Sequence, residues 1–129
     1  MRPEAVVVAQ ILARHGARSE FHIRRNNSGA LYDRSGRLVR FGLNGSGDLE
    51  GFLSPRARFF TVECKRLSKS LEGLQMNYQA MVRRHGGVCI VGYTEPQFAY
   101  EIEAAIAREN EITGRLADFS FSPFRVETP

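Results

Sequence analysis

The chain has no tryptophan, two cysteines, five prolines and three histidines in 129 residues. Cys64 and Cys89 lie inside apolar, strand-like runs, with no Cys-x-x-Cys and no histidine at ligand spacing, so neither a disulfide framework nor a zinc ribbon is available. Both read as buried thiols in a reducing compartment. No apolar run approaches the roughly 18 residues of a membrane helix. Met1 to Glu4 leads straight into a short charged helix, unlike a signal peptide, so a cytoplasmic protein without a membrane partner is expected. His15, His22 and His85 are scattered, and none stands beside a serine or cysteine as a nucleophile's base would. Gly42 to Gly47 holds three glycines but lacks a Gly-Lys-Ser/Thr ending and a helix directly after it, which excludes a P-loop. An aromatic ribonucleoprotein-type strand motif is also missing, which argues against an RNA-binding module. There is no internal repeat or low-complexity tract.

Acidic charge is also scarce: 14 Asp and Glu stand against 18 Lys and Arg, a net charge of +4. A basic surface favours a polyanionic partner. Hydrophobic residues make up 43% of the chain, enough at this length for one domain with a real core. We place that domain at residues 1–114, with 115–129 as a C-terminal extension. The extension holds Leu116, Phe119, Phe121 and Phe124, which need a partner surface on this chain or another.

Pro3 and Glu4 open a helix whose Ala5, Val8, Ala9 and Leu12 follow helical spacing until His15-Gly16. Phe21 and Ile23 alternate with His22 and Arg24 in a strand that enters the turn Asn26 to Gly29, with Ala30 to Tyr32 as its return. A further turn at Asp33 to Gly36 leads to Arg37 to Phe41, which completes a basic meander. The three glycines that follow give the backbone unusual freedom, one use of which is close approach of a DNA strand. After Lys65 a polar loop ends at Ser70, a candidate cap for a helix with Leu71, Leu74, Tyr78, Met81 and Val82 on its apolar stripe. Val88 to Val91 is a continuous apolar run, expected to be buried on both faces. Thr94 to Gln97 reads as a capping box for a last helix with Phe98, Ile102, Ala105 and Ile106 inward and Glu101, Glu103 and Glu109 facing water.

The informative stretch is Gly45 to Lys65. Asp48 to Leu53 and Phe59 to Lys65 alternate as two strands around the turn Ser54 to Arg58, and Glu63 and Lys65 share one face. Such a hairpin sets Asp48 close to Glu63 at the sheet edge. Two converging carboxylates repel unless a cation lies between them, and hard oxygen ligands suit Mg²⁺ or Mn²⁺. An ammonium two residues along can polarise a phosphate or orient water.

Asp48 followed by Glu63-x-Lys65 resembles the PD-(D/E)xK nucleases. Together with Glu4 on the first helix, Arg25-Asn26-Asn27-Ser28-Gly29-Ala30, Gly45-x-x-Asp48, Gln75 and Gly86-Gly87 before a strand, it looks like a VRR-NUC (virus-type replication-repair nuclease) domain over about residues 3–95. The resemblance implies an α/β fold, a restriction-endonuclease-like mixed β-sheet flanked by helices with an αβββαβ core. It also implies a Mg²⁺- or Mn²⁺-dependent endonuclease of phage type, a homodimer acting on branched DNA such as a Holliday junction. Carried over by residue, Asp48 and Glu63 would hold the metal with the Cys64 carbonyl, and Lys65 would orient or deprotonate water. Gln75 and Glu4 would support them, although Glu4 also suits the helix dipole. Arg24, Arg25, Asn26, Asn27, Arg37, Arg40, Ser46, Arg66 and Lys69 are the candidate DNA contacts. The rival reading is a non-catalytic DNA-binding module of the same fold.

Overall fold

In the computed structural model, residues 3–118 are described except Ser28, Asn44, Leu67 and Ser68. The elements run α1 (Pro3–His15), β1 (Phe21–Arg25), β2 (Gly29–Tyr32), β3 (Leu38–Phe41), β4 (Leu49–Leu53), β5 (Arg58–Cys64), α2 (Gly73–Arg84), β6 (Val88–Gly92) and α3 (Glu95–Asp118). Four strands form a mixed sheet in the order β1-β4-β5-β6, and β2 and β3 form a separate ribbon. The β1–β4 and β4–β5 pairs are antiparallel, whereas β5 and β6 are parallel and joined by a crossover through α2. With the ribbon set aside, α1-β1-β4-β5-α2-β6 is the αβββαβ order expected from the sequence.

Strand alternation decides the layers. Phe60, Val62 and Cys64 of β5 join Phe21, Ile23, Leu49, Leu53 and Ile90 in a core covered by Val8 and Ile11 of α1 and Phe98 and Ile102 of α3. Each fully buried side chain of this size contributes about 1.5–3 kcal/mol over its exposed state. Thr61 and Glu63 point the other way, toward α2, so every residue from Phe60 to Cys64 is buried. Because α2 packs mainly on β5 and β6, the same face of β1 and β4 leaves His22, Arg24 and Phe52 exposed. No helix among the described residues is long and apolar enough to cross a membrane.

Several local expectations are corrected. The partner of β1 is β4, not residues 30–32, because Asn26 continues the β1–β4 pairing through its N–H to the Asp48 carbonyl at 2.9 Å. The core stripe of α1 is Val8, Ile11 and His15, and Ala9 is exposed. The N-cap of α2 is Glu72 rather than Ser70, in a reciprocal box with Gln75, so the helix starts later and its buried residues are Gln79 and Val82, with Leu74 55% exposed. β6 is an edge strand: Ile90 is buried while Val88, Cys89 and Val91 are half-buried. Glu109 does not face water. It is 2% exposed, accepting from Arg58 Nε at 2.6 Å, with Arg56 Nη2 2.7 Å away in ion-pair range but not aligned as a hydrogen bond. Of the box expected at the start of α3 one half is formed: Gln97 N–H donates to Thr94 Oγ1, while Gln97 Oε1 accepts the N–H of Tyr93, one residue before the cap, instead of that of Thr94. α3 continues to Asp118 with Leu116 exposed, while Phe119, Phe121 and Phe124 lie outside the described residues.

Candidate functional site

The β4–β5 register builds the site. Leu49 pairs with Val62, so one step further along the antiparallel pair sets Asp48 opposite Glu63. These are the two central strands, so the residues meet at the end of the sheet rather than along an edge. A cleft of about 410 Å³ opens there. Its acidic lining is Glu4, Asp48 and Glu63, its cations are Arg25 and Lys65, and Asn26, Asn27, Ser46, Gly47 and the Cys64 backbone complete the polar wall, with Ala5 and Val8 of α1 on the apolar side.

Each central carboxylate is tethered through one oxygen. Asp48 Oδ2 accepts from the Cys64 N–H at 2.7 Å, and Glu63 Oε1 accepts from Gln75 Nε2 at 2.7 Å. Gln75 is itself fixed, since its Oε1 accepts the Glu72 N–H at 2.9 Å in the α2 cap. Lys65 is placed by its own N–H, which donates to the Gly92 carbonyl at 3.2 Å and extends the β5–β6 pairing by one residue. Glu4, in the first turn of α1, lies 3.5 Å from Arg66 Nε.

Burial pushes the Glu63 carboxyl up to about 8, helped by the nearby charge of Asp48 and opposed by Lys65. Burial also raises Asp48, against the Cys64 N–H and Lys65, which favour its ionised form. The Cys64 thiol is pushed up to about 12, chiefly by burial, and its side chain lies in the core, which leaves the backbone carbonyl as the group that Cys64 could offer a metal. A cation between the two carboxylates would relieve both the desolvation and the repulsion. Among the described residues no group of three His, Cys, Asp or Glu forms a ready cage. That donor set still fits Mg²⁺, which is usually held by one or two carboxylates with water and substrate phosphate completing the shell.

The glycines before Asp48 serve the protein's own packing. Gly45, at φ +86°, lies against the Leu74 backbone of α2, and a Cβ on Gly47 would strike Thr61 Oγ1 and the Val62 carbonyl. The close approach expected of a DNA strand is thus taken at Gly47 by the protein's own strand β5. Asn26 locks this loop, donating from Nδ2 to Ser46 Oγ and to the Gly47 carbonyl at 2.9 Å each, and Ser46 Oγ donates to the Leu43 carbonyl. From sequence alone Asn26 and Ser46 read as DNA contacts, and their part in fixing Asp48 goes unseen. Three glycines in six residues beside an asparagine are the available signal.

The candidate DNA contacts divide by their partners. Arg24 pairs with Glu50 at 3.2 Å and lies over the Phe52 ring, on the sheet face turned away from α1. Arg66 pairs with Glu4, and Arg14, Arg18, Arg56, Arg58 and Arg115 also pair with glutamates. Arg25, Asn27 and Lys65 line the cleft, Arg37 and Arg40 are exposed on or beside the ribbon, and Lys69 is exposed in the loop after β5. Among the described residues Arg25, Arg34, Arg37, Arg40 and Lys69 have no carboxylate partner. No family model matches the chain, and no curated protein matches it.

Proposed function

We propose that the protein is a Mg²⁺- or Mn²⁺-dependent deoxyribonuclease that hydrolyses phosphodiester bonds, acting as a cytoplasmic homodimer on branched DNA such as four-way junctions. The observation that carries this reading is the convergence of Asp48, Glu63 and Lys65 in one cleft, with both carboxylates raised by burial and Glu63 further raised by Asp48. A bound divalent cation would supply Lewis-acid charge to a phosphate oxygen and a more acidic water. Asp48 and Glu63, tethered by the Cys64 N–H and Gln75, are the side chains that would hold it. Lys65 presents a cation to the scissile phosphate or to the attacking water. Arg25 offers a bidentate donor to a flanking phosphate at the cleft wall. The start of α1 lines the same cleft through Glu4 and Ala5, adding a positive dipole end there.

The absence of a three-ligand cage among the described residues favours the second reading, a non-catalytic DNA-binding module. Incubation with linear, flap and four-way-junction DNAs, with Mg²⁺, Mn²⁺ or chelator, separates the two. Cleavage that needs the metal supports the nuclease, and binding without cleavage in either metal leaves only the module. Sedimentation tests the dimer, which a clean 14.5 kDa species would remove.

A further inference from the structure

The β2–β3 ribbon is the one part of the described fold that has no face to bury. Leu31 pairs with Val39 on one side and Tyr32 with Leu38 on the other, yet Leu31 is 66% and Tyr32 75% exposed, and the ribbon does not pack extensively on any helix or strand of the body. An isolated two-stranded ribbon is marginal in water. This one has a well-made tip: Asp33 Oδ1 accepts the Ser35 and Arg37 N–H groups at 2.9 Å and the Ser35 hydroxyl at 2.7 Å, and Gly36 takes φ +81°. The single carboxylate of the tip is thus occupied, while Arg34, Arg37 and Arg40 stand without one among the described residues. The ribbon's root is the cleft wall, where Asn26 joins Ser46 and Gly47.

Resting on the proposed nuclease reading, we infer that this ribbon enters the major groove of a B-form duplex whose adjacent backbone lies in the Asp48–Glu63 cleft. Charge complementarity selects a polyanion, and dimensions select the groove. Two strands about 4.8 Å apart with their side chains fit a groove about 12 Å wide and not one about 6 Å wide. The deep, narrow major groove of A-form RNA would refuse it. The arginines reach phosphates or guanine edges, and the Leu31–Val39 and Tyr32–Leu38 faces meet thymine methyls and the groove wall, which gives the exposed apolar surface an occupant.

Because Ala30 and Arg40 are cross-strand partners, residues 31–39 can be replaced by an Asn-Gly turn that shortens the ribbon and leaves its root. Anisotropy in chelator compares a DNA duplex, the same duplex carrying glucosylated 5-hydroxymethylcytosine in its major groove, the duplex with distamycin in its minor groove, and the matching double-stranded RNA. The unaltered protein should lose about tenfold in affinity on major-groove blocking and on changing to RNA, and under twofold with distamycin. In the shortened protein both tenfold differences should collapse. Should the shortened chain lack a cooperative melt, Arg37→Glu with Arg40→Glu carries the same comparison on an intact backbone. Indifference of the unaltered protein to the major-groove sugar overturns the inference, as does undiminished sensitivity in the altered proteins. Loss of a dimer on shortening with groove sensitivity unchanged gives the ribbon to a second copy and equally overturns it. Cleavage is scored separately: groove-dependent binding without metal-dependent cleavage removes the nuclease and leaves the ribbon, and cleavage with groove-indifferent binding does the reverse.

Discussion

Two glutamates are buried at opposite ends of the central strand β5, and they are held in opposite ways. Glu109, from α3, reaches the start of β5, where Arg56 and Arg58 flank it and Arg58 Nη1 also donates to the Gly86 carbonyl. Glu63, at the other end, is 6% exposed, faces Asp48 instead of an arginine, and has a neutral amide for its hydrogen bond. Burying a charge is tolerated when a cation and hydrogen bonds offset it. The first arrangement has its charge neutralised within the chain and joins the β4–β5 turn to α3 and to the turn between α2 and β6. The second has no arginine within the described residues to hold its charge, so burial and Asp48 favour its protonated form, and under the proposed function a divalent cation would take the proton's place.

The sharpest way to break this contrast is to exchange the consequences of losing each group. Asp48→Ala, Glu63→Gln and Lys65→Ala should each lower metal-dependent cleavage by about 10²-fold or more, because all three act on one developing charge. Glu63→Gln should leave the metal-free protein as stable as before, or more stable, in urea at pH 9. Glu109→Ala should do the opposite, retaining cleavage per folded molecule while costing about 2–3 kcal/mol. That lies below the figure for a fully buried pair, because Arg56 and Arg58 keep partial access to water. A Glu63 variant that unfolds, or a Glu109 variant that folds normally but is inactive, would reverse the assignment.

Acidity sharpens the same contrast. The Glu63 carboxyl is raised in the folded, metal-free protein from the ordinary 4.5 to about 8, so the fold favours its protonated form. Its contribution to stability is fully present below about pH 4.5, declines as pH rises from there, and is lost above about 8, a change on the order of 5 kcal/mol. Asp48, raised in the same direction, adds to the slope. Urea melts at pH 5, 7 and 9 in chelator should follow this fall, and Mn²⁺ should restore stability most at pH 9. An unchanged midpoint from pH 5 to 9, or no response to metal, would mean that the cleft does not hold these charges apart from a cation.

Gln75→Ala and Asn26→Ala should have smaller effects, about tenfold on the turnover rate, because each positions a ligand rather than meeting the phosphate. Rescue by Gln75→Asn is not expected, since the shorter amide cannot both accept at Glu72 and reach Glu63. The place of Gln75 beside Glu63 was legible in the sequence through the resemblance to VRR-NUC domains, whereas the tie of Asn26 to Ser46 and Gly47 was not. The hairpin and the Asp48–Glu63 meeting follow from alternation and turn chemistry, which are local. The partner of β1, the separation of the ribbon and the burial of Glu109 depend on which distant segments meet. Glu109 stands 51 residues from Arg58, and nothing in the spacing of a helix announces that pairing. The late start of α2 escaped for a related reason: a serine at 70 is the better intrinsic cap, but the box formed by Glu72 and Gln75 also ties the helix to Glu63.

The arginines carry the contrast between internal completion and outside need to the surface, with the smallest effects. Deleting one cation that binds a phosphate should flatten the slope of log affinity against log salt by roughly one unit on duplex DNA. Arg25→Ala and Arg40→Ala should each do so, since among the described residues neither guanidinium has a carboxylate to neutralise it. Arg24→Ala should change the slope little, although the residue is Arg25's neighbour and more conspicuous on the strand. Its charge is already shared with Glu50 and its plane lies over Phe52, on the face of the sheet away from the cleft's α1 wall. Exposed pairs of this kind are worth at most about 1 kcal/mol, so the variant also isolates charge from stability. Equal slopes for Arg24→Ala and Arg25→Ala would show that DNA recruits paired and unpaired arginines alike. The partner of a guanidinium would then be no guide to where the nucleic acid lies.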